Sequence, residues 1–422
     1  MGVGMRRMGV LLAGAALVAA GTSAAPAAAV RPERVSLPAA GTPIAGSYIV
    51  VLEDGANLSA VLDAHRALGI EAFHVYRHAL KGYAARMPAA LAAVLAADPR
   101  VDFVEQDRVV RAAAQTLPTG INRVDADLSP TARINGSDER VNVDVAVIDT
   151  GVDLDHPDLN VYTAGAKNCI GVLALRGADD DNGHGSHVAG TIAALDNNTG
   201  VVGVAPGARI WPVKVLNFLG IGSVSNIVCG IDYVTSKASQ IEVANMSLGG
   251  SGSDDGNCGK SNNDSEHRAI CASVAAGVTY VVAAGNDSDN AENYVPASYD
   301  EVITVSALAD FNGSPGGGAR STCRSDIDDT FANFSNYGAD VDLIAPGVCI
   351  YSTSSGGGYA TLSGTSMAAP HVAGAAALYK ALNPGASPAQ VKQALQAAGN
   401  LNWNNSDDGD AIKELLLNVA NF

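Results

Sequence analysis

Basic and aromatic residues are scarce in this sequence of 422 residues. Aromatic side chains make up 5% of it, and 26 Lys and Arg stand against 43 Asp and Glu, so the formal net charge is -17. A chain this acidic is not expected to bind nucleic acid or an anionic membrane surface. Apolar residues account for 47%, which at this length predicts a large core and more than one folded unit.

Long apolar runs are also lacking. The stretch 8–20 is shorter than the roughly 20 apolar residues that span a bilayer. It follows Arg6 and Arg7 and precedes small residues around Ala27-Ala28-Ala29, the pattern of a secretion signal with its cleavage site. A membrane anchor is the alternative. We predict a signal peptide over residues 1–29, export to the extracellular medium and no stable membrane anchor.

Cysteine is absent from the first 168 residues. The six that follow are even in number, which in an exported protein indicates disulfides: Cys169, Cys229, Cys258, Cys271, Cys323 and Cys349. Fifteen pairings are possible, and the order along the chain suggests 169–229, 258–271 and 323–349. None has the spacing of metal ligands, which argues against a zinc site.

The N-terminal part of the chain predicts a linker and a small domain. Residues 30–45 are rich in Pro and Ala and indicate a linker. Over residues 46–113 the pattern is strand SYIVVL, helix NLSAVLDAHRALG, two strands in EAFHVYRHALKGYAARM turning near Lys81-Gly82, helix PAALAAVLAADP and strand VDFVEQDRVV. The order β-α-β-β-α-β predicts an α+β ferredoxin-like domain. The segment AAAQTLP after it is loose and cleavable.

Residues 114–422 alternate apolar strands with helices. VDVAVID, ARIWPVKVL, IEVANMSL, TYVVAAG and EVITVSAL are short β-branched runs, typical of strands buried on both faces. Helical segments lie between them, so we predict an α/β fold with a doubly wound, mostly parallel sheet. Sites in such sheets form beyond the carboxyl ends of the strands. His156 and His267 are predicted in loops.

Three segments contain the residues of a hydrolytic site. Asp149 ends a strand in VAVIDTGVDLDHPDL, His184 lies in a Gly-flanked turn before a helix, and Ser366 lies in the first turn of another helix. Hydrolysis by a serine needs a hydroxyl, a base for its proton and a carboxylate that orients the base. A helix N-terminus at Ser366 favours negative charge there. Taken singly, these residues are also ordinary turn and cap residues.

Together the segments IDTG, HGSHVAGT and GTSMAAPHVAG, in the order Asp, His, Ser, resemble the subtilase family of serine proteases. The resemblance is to its secreted, proteinase K-like bacterial type and covers nearly all of residues 114–422. It implies that Ser366 is the nucleophile, His184 the general base and acid, and Asp149 the orienting carboxylate. AAGN resembles the family's oxyanion segment, which implies that Asn286 and the Ser366 backbone N–H stabilise the oxyanion.

The resemblance also implies a substrate cleft. SLGG matches the stretch that pairs with substrate backbone as an added strand, which suits broad specificity. The S1 pocket is expected between Ser247–Gly249 and Ala283–Gly285, and neither segment contains an acidic residue, so an apolar P1 side chain is expected. The implied cleft residues are Ser247, Leu248, Gly249, Ala283, Ala284, Gly285, Leu219 and Gly220.

A structural Ca²⁺ ion is a further implication. HVAGTIAALDNNTGVVGVAP matches the family's calcium loop without insertion or deletion, and oxygen ligands suit this hard cation. An Asn-rich loop without metal is the alternative. The implied ligands are Gln115, Asp158, Leu195, Asn197, Thr199 and Val201.

The segment from about Gly46 to Val110 resembles the inhibitory propeptides of this family. The resemblance implies a self-processing zymogen cut near Ala113, whose propeptide inhibits the enzyme and assists its folding; a permanent N-terminal domain is the alternative. We expect a monomeric endopeptidase acting on protein and peptide substrates. Two rivals remain, a peptide ligase or cyclase and a non-catalytic binding protein on the same fold.

Overall fold

The computed structural model describes residues 35–36, 42–109, 115–171, 177–405, 408–410 and 412–422. The chain divides into two compact units, Met1–Ala112 and Ala113–Phe422. The predicted signal peptide, 1–29, and the expected processing position at Ala113 lie outside the described residues. Within the described part of the chain, no helix combines the length and the apolar character needed to cross a bilayer.

The N-terminal unit is a five-stranded sheet with two helices. Its elements are β1 (Val35–Ser36), β2 (Thr42–Leu52), α1 (Leu58–Arg66), β3 (Ala72–Tyr76), β4 (Gly82–Arg86), α2 (Ala89–Ala96) and β5 (Val101–Val109). The strand order is β1-β5-β2-β4-β3, and β2 is antiparallel to both β4 and β5. The order β-α-β-β-α-β from β2 to β5 is therefore as predicted.

The predicted linker at 30–45 differs from the structure. Strand β1 lies within it, and β2 begins in it, because Thr42 pairs with Val109 and Pro43 with Arg108. This pairing joins residues far apart in sequence, so local Pro and Ala content does not reveal it. The core of the unit is formed by fully buried side chains from both layers, among them Val50, Val61, Tyr83, Leu95 and Val104.

The C-terminal unit contains the large sheet. Its main strands are β6 (Asp144–Asp149), β7 (Lys167–Asn168), β8 (Arg209–Lys214), β9 (Val243–Met246), β11 (Thr279–Ala283), β13 (Ile303–Ala309), β14 (Thr330–Phe331) and β15 (Leu343–Pro346). The order is β14-β13-β11-β9-β6-β8-β7, with β15 paired to β13. Every pair is parallel except β13 with β14, which confirms the mostly parallel sheet. Two-stranded ribbons form from β10 (Gly250–Ser251) with β12 (Tyr294–Val295) and from β16 (Ile350–Ser354) with β17 (Gly358–Leu362).

Both faces of this sheet are covered. Val145 and Val147 of β6 belong to one apolar core and Ala146 and Ile148 to the other, because successive strand side chains point to opposite faces. Helices α4 (His184–Ala193), α7 (Thr365–Leu382) and α8 (Pro388–Ala398) contribute to the first core, and α5 (Val224–Ser236) and α6 (Ser265–Ala275) to the second. A short helix, α3 (Thr119–Arg123), precedes β6. The doubly wound prediction is therefore confirmed.

The three disulfides are those suggested by chain order: Cys169–Cys229, Cys258–Cys271 and Cys323–Cys349. The loop prediction for His267 is wrong. This residue is fully buried and lies in the first turn of α6. The helix begins before it because Asp264 caps the helix by accepting hydrogen bonds from the backbone N–H groups of Glu266 and His267.

Candidate active site

Three adjacent parallel strands bring the candidate residues to one edge of the large sheet. Asp149 is the last residue of β6, Ser247 directly follows β9, and Asn286 follows β11 by three residues. These strands are neighbours in the order β11-β9-β6. Their carboxyl ends therefore meet at a single edge, where sites in doubly wound sheets form.

Asp149 and His184 form a hydrogen-bonded pair. His184 Nδ1 lies 2.7 Å from Asp149 Oδ1, and the aspartate side chain is fully buried while the histidine is 26% exposed. The aspartate oxygen also accepts a 2.7 Å hydrogen bond from the Thr150 backbone N–H. This pairing holds the proton of His184 on Nδ1 and leaves Nε2 as the acceptor that faces the cleft.

Two opposing influences act on the pKa of His184. Burial lowers this pKa, but the negative charge of Asp149 and its hydrogen bond raise it, and Asp180 adds to the increase. The net pKa lies above the ordinary value of 6.5. His184 is therefore poised to accept a proton near neutral pH.

His184 begins helix α4 rather than preceding it as predicted. Asp180, which the sequence analysis did not single out, anchors this helix start. Its carboxylate accepts hydrogen bonds from Thr150 Oγ1 at 2.9 Å, from the Gly183 N–H at 2.9 Å and from Ser186 Oγ at 2.6 Å. The run of acidic residues 179–181 contained no signal that distinguished this one.

Glycine beside His184 has a packing role. A Cβ at Gly185 would overlap the carbonyl oxygen of Gly151, so only glycine lets helix α4 approach the end of β6 this closely. At Gly185 the close neighbour is the protein's own backbone.

Ser366 lies in the first turn of α7. Its Oγ donates a 3.3 Å hydrogen bond to the carbonyl oxygen of Ser247. Among the described residues no hydrogen bond joins Ser366 to His184. Such contacts are often long or poorly aligned in ligand-free enzymes and tighten when substrate binds.

Ser247 holds the Ser366 backbone as well as its side chain. Asn245 Nδ2 donates to Ser247 Oγ at 2.9 Å, and this hydroxyl donates to the Ser366 carbonyl oxygen, also at 2.9 Å. The relay connects the end of β9 to the start of α7. These bonds hold Ser366 in place relative to the end of β9.

The amide of Asn286 is oriented by Thr365. Asn286 Oδ1 accepts a 2.8 Å hydrogen bond from the Thr365 backbone N–H and a 3.0 Å bond from its hydroxyl. Because Oδ1 is used in this way, Nδ2 is the group free to donate elsewhere. Gly285 precedes it with φ of 109°, a conformation that favours glycine. Sequence reasoning missed Thr365, although it stands directly before Ser366.

A cavity of about 480 Å³ lies beside Ser366. Of the predicted S1 residues, Leu248, Gly249, Ala283, Ala284 and Gly285 line it, together with Asn286. Further wall residues were not predicted from the sequence, among them Asp287, Tyr294 and Val295. The predicted S1 residues therefore line one pocket. Its wall also contains the acidic Asp287, which lies outside the segments Ser247–Gly249 and Ala283–Gly285.

A second cavity of about 510 Å³ lies beside His184. Leu219 and Gly220 line it, as do Ser247, Leu248 and Gly249. Leu219 is 63% exposed. The predicted cleft residues therefore lie around two adjoining cavities, with Leu248 and Gly249 common to both.

The residues predicted to hold calcium converge at the loop after α4. Gln115 Nε2 lies 2.6 Å from the carbonyl oxygen of Leu195 and 3.0 Å from that of Val201. Asp158, nearly fully buried, accepts hydrogen bonds from Asn197 Nδ2 at 3.0 Å and from the Val201 N–H at 2.9 Å. Burial raises the pKa of this carboxyl.

This donor set fits a hard cation. The carbonyl oxygens of Leu195 and Val201 both point at the side-chain amide of Gln115. Rotating this amide by a half-turn about its last bond exchanges its oxygen and its nitrogen. A half-turn of the Gln115 amide would present Oε1 where Nε2 now lies. Thr199 donates through its N–H and its hydroxyl to Asn197 Oδ1, at 2.9 and 2.6 Å. These two bonds hold Asn197 and Thr199 together within the loop.

Comparison with known proteins agrees with this geometry. The Subtilase family of peptidase S8 matches residues 141–411, and the family described as Peptidase inhibitor I9 matches residues 47–113. The chain is 40% identical over 299 residues to an alkaline protease of Alkalihalobacillus alcalophilus, over 71% of this chain and 69% of that protein. It is 41% identical over 287 residues to subtilisin DY of Bacillus licheniformis, over 67% and 92% of the two proteins. A crystal structure of a cold-adapted subtilisin-like serine proteinase matches with a TM-score of 0.54 at 32% identity, over 72% of this chain and 98% of that one.

The fold and the side chains at its carboxyl edge define a serine peptidase of the α/β class. The chain belongs to the Subtilase family: it is a subtilisin-type serine endopeptidase that carries an I9-type propeptide domain.

Proposed function

We propose that this protein is an exported, self-processing endopeptidase of broad specificity, with Asp149, His184 and Ser366 as its catalytic triad. The observation that carries the proposal is the 2.7 Å pair between His184 Nδ1 and the fully buried Asp149. It lies at the edge of the sheet where Asn286 and Ser366 also meet. A histidine held in this way has the tautomer and the raised pKa that a base for serine requires.

In the proposed reaction the Ser366 hydroxyl attacks the scissile carbonyl carbon while its proton passes to His184 Nε2. The oxyanion that forms accepts hydrogen bonds from Asn286 Nδ2 and from the Ser366 N–H. His184 then protonates the leaving amine, and an acyl-enzyme remains on Ser366. Water deacylates it by the same proton transfers in reverse, and Asp149 stabilises the imidazolium throughout.

The substrate would bind along Ser247–Gly250 by main-chain hydrogen bonds, as an added strand. Backbone recognition is indifferent to most side chains, which supports broad specificity. The pocket walls of Ala283, Ala284 and Val295 favour an apolar P1 side chain. Asp287 is an acidic wall residue, so a test against basic P1 residues belongs with any specificity profile.

One structural Ca²⁺ would be held by six residues of this loop region. They are the side chains of Gln115, Asp158 and Asn197 and the carbonyls of Leu195, Thr199 and Val201. When bound, the ion would supply positive charge to the buried carboxylate of Asp158, and it would bind only the folded state. It therefore adds stability by mass action rather than taking part in the chemistry.

Residues 1–29 would direct export, and residues 46–113 would act as an intramolecular inhibitor and folding aid that the enzyme removes near Ala113. The positive Arg6 and Arg7, the apolar stretch and the small residues that follow support the export signal. The I9 match over residues 47–113 supports the inhibitor role. We propose that the mature enzyme is a monomer in the extracellular medium.

The decisive experiment compares the precursor with its Ser366→Ala variant, by intact mass and by casein hydrolysis. We expect the parent to lose about 80–85 residues after signal removal, the distance from residue 30 to the proposed cut near Ala113, and to digest casein, while the variant does neither. Maturation or casein digestion by the variant at the parental rate would exclude Ser366 as the nucleophile.

The same material separates the rival functions. A serine-directed sulfonyl fluoride labels either enzyme but not a pure binding protein. The mass of products from a test peptide then separates hydrolysis, which adds water, from ligation or cyclisation, which does not.

A further inference from the structure

A buried histidine outside the active site faces three carboxylates. His267, in the first turn of α6, is fully buried. Its Nε2 lies 2.9 Å from Glu301 Oε2, and its Nδ1 lies 3.5 Å from Asp254 Oδ1 and 3.5 Å from Asp255 Oδ1. The ring stacks on Tyr299 with centroids 3.9 Å apart and planes 2° from parallel, which fixes the directions of both nitrogens.

The two nitrogens of this ring are in different situations. Nε2 has a hydrogen bond of ordinary length to Glu301, whereas Nδ1 is buried and has no hydrogen-bond partner. A separation of 3.5 Å exceeds the 2.7–3.2 Å or so of an N–H···O hydrogen bond. A neutral His267 that donates from Nε2 therefore aims a lone pair at two carboxylate oxygens, an arrangement that repels unless a cation lies between them.

The spacing of these three atoms fits a metal ion. Zinc binds histidine nitrogen and carboxylate oxygen at about 2.0–2.2 Å, so the edge of its ligand tetrahedron measures about 3.3–3.6 Å. The distances of 3.5 Å from Nδ1 to each aspartate match that edge. The ligand atoms of Asp254, Asp255 and His267 all lie within 4.8 Å of one another.

The surroundings are those of a supported metal ligand set. A ligating histidine usually donates its other N–H to a carboxylate, as His267 does to Glu301. Asp255 is held by four backbone N–H groups, from Asn257, Gly259, Ser261 and Asn262.

Neither nearby sulfur competes as a ligand, because Cys258 and Cys271 are joined in a disulfide. The Asp254 side chain is 17% exposed and leaves a path to solvent for the ion and for a water as fourth ligand. We propose that His267 Nδ1, Asp254 and Asp255 bind one Zn²⁺ ion, with Glu301 as the positioning residue of the histidine. The ion would tie the loop that carries the two aspartates to the start of α6.

The test measures zinc binding by the full chain. All variants carry Ser366→Ala so that self-digestion cannot intervene, and all are stripped with chelator and returned to buffer with excess Ca²⁺. Zinc retained after gel filtration gives the stoichiometry, titration gives Kd, and Co²⁺ absorption gives the geometry. We expect one Zn²⁺ per chain and a tetrahedral Co²⁺ spectrum.

Two variants and a control locate the site. Asp254→Asn removes a charged ligand but keeps an oxygen for the Gly256 N–H, and we expect Kd to rise at least 10-fold. Glu301→Gln, farther from the ion, is expected to raise Kd roughly 10- to 100-fold. Asp232→Asn, an exposed aspartate on α5, should bind as the parent does. If Asp254→Asn does not fold, Glu301→Gln alone decides.

Either of two results overturns the proposal. One is a parent that retains no zinc, in which case Asp254, Asp255 and Glu301 surround His267 without a metal ion. The other is zinc bound equally by Glu301→Gln and Asp232→Asn, which would put the ion elsewhere. Neither result bears on Ser366 as the nucleophile.

Discussion

Thr365 donates twice to Asn286. Its backbone N–H lies 2.8 Å and its hydroxyl 3.0 Å from Asn286 Oδ1. These two residues are separated by 79 positions in the chain, yet the contact decides which end of the amide is left to donate. Thr365 is therefore a positioning residue for the proposed oxyanion donor, adjacent to the proposed nucleophile but not part of the proposed triad.

Replacing the Thr365 hydroxyl should lower turnover without weakening substrate binding. Thr365→Val keeps the side-chain shape and the backbone bond but loses one of the two bonds to Asn286, worth about 0.5–1.5 kcal/mol, so kcat should fall about 3- to 10-fold with KM nearly unchanged. Steady-state kinetics on a peptide anilide measure both constants. Thr365→Ser, which keeps the hydroxyl, is the matched control.

Asn286→Leu should have the larger effect. Loss of the equivalent donor in a subtilisin lowers kcat roughly 100- to 1,000-fold, and we take that range over from the relative. Combining it with Thr365→Val should cost little more than Asn286→Leu alone, because the bond from the hydroxyl to Oδ1 is already absent there. What remains is the 3.2 Å bond that the hydroxyl accepts from the Gly285 N–H. Additive losses in the double variant would show that Thr365 acts independently.

The pH dependence of activity should reflect His184. As the proposed base, His184 must be neutral to act. We therefore expect kcat/KM to fall as pH drops through the pKa of His184, which Asp149 raises against the effect of burial. We expect the acid limb above about 6.5, the ordinary histidine value. Asp149→Asn removes the charge, so burial then lowers this pKa, the limb moves to lower pH, and kcat falls about 10⁴-fold.

Exposed Asp138 gives a charge-matched control for that experiment. Asp138→Asn should leave the pH profile where it is in the parent. If Asp149→Asn and Asp138→Asn show the same acid limb, the limb belongs to a group other than His184.

Removing the proposed Ca²⁺ ion should destabilise the mature enzyme through the loop after α4. At free Ca²⁺ 100 times Kd the ion adds about 2.7 kcal/mol to the free energy of unfolding, so chelator should lower Tm. Asp158→Asn should have a low Tm that chelator no longer changes, whereas exposed Asp155→Asn should respond as the parent does. Scanning calorimetry measures Tm with and without chelator. If chelator lowers the Tm of both variants equally, the calcium site lies elsewhere.

Glu414 should make stability fall as pH rises. Its side chain is 4% exposed and neither carboxylate oxygen has a hydrogen-bond partner among the described residues. Burial, together with the charges of Asp408 and Asp410, raises its pKa from 4.5 to about 8. The folded state therefore favours the protonated acid, and the stability that this provides is complete below pH 4.5 and is lost as pH rises through 8.

Glu414→Gln should remove that loss. At about 1.4 kcal/mol per pKa unit, the variant should gain on the order of a few kcal/mol over the parent at pH 9 and little at pH 4. Denaturant unfolding at the two pH values measures the difference. Glu292→Gln, at an exposed glutamate, should show no such gain, and a gain equal to that of Glu414→Gln would attribute the effect to net charge.

Local patterns were enough for much of this protein. Strand β6 was predictable because Val145, Val147 and Ile148 are β-branched and Ala146 between them is apolar. The order of strands and helices on both sides of it followed from the same kind of pattern. The segments around Asp149, His184 and Ser366 were recognisable because each combines a reactive side chain with a strand end or helix start within a few residues. Chain order also sufficed for the disulfides.

Contacts between distant segments were decided only by the tertiary structure. The bonds of Thr365 to Asn286 and the approach of Gln115 to the Leu195 carbonyl depend on how strands and helices pack, and no local pattern specifies them. His267 is the clearest case. Its contacts with Asp254 and Glu301 form only through the loop before α6 and the segment before β13, so no spacing in the sequence indicates them. The amino-acid sequence determined which reactive side chains are present. The fold determined which of them meet, because each contact depends on burial and on distances that are set across the whole sheet.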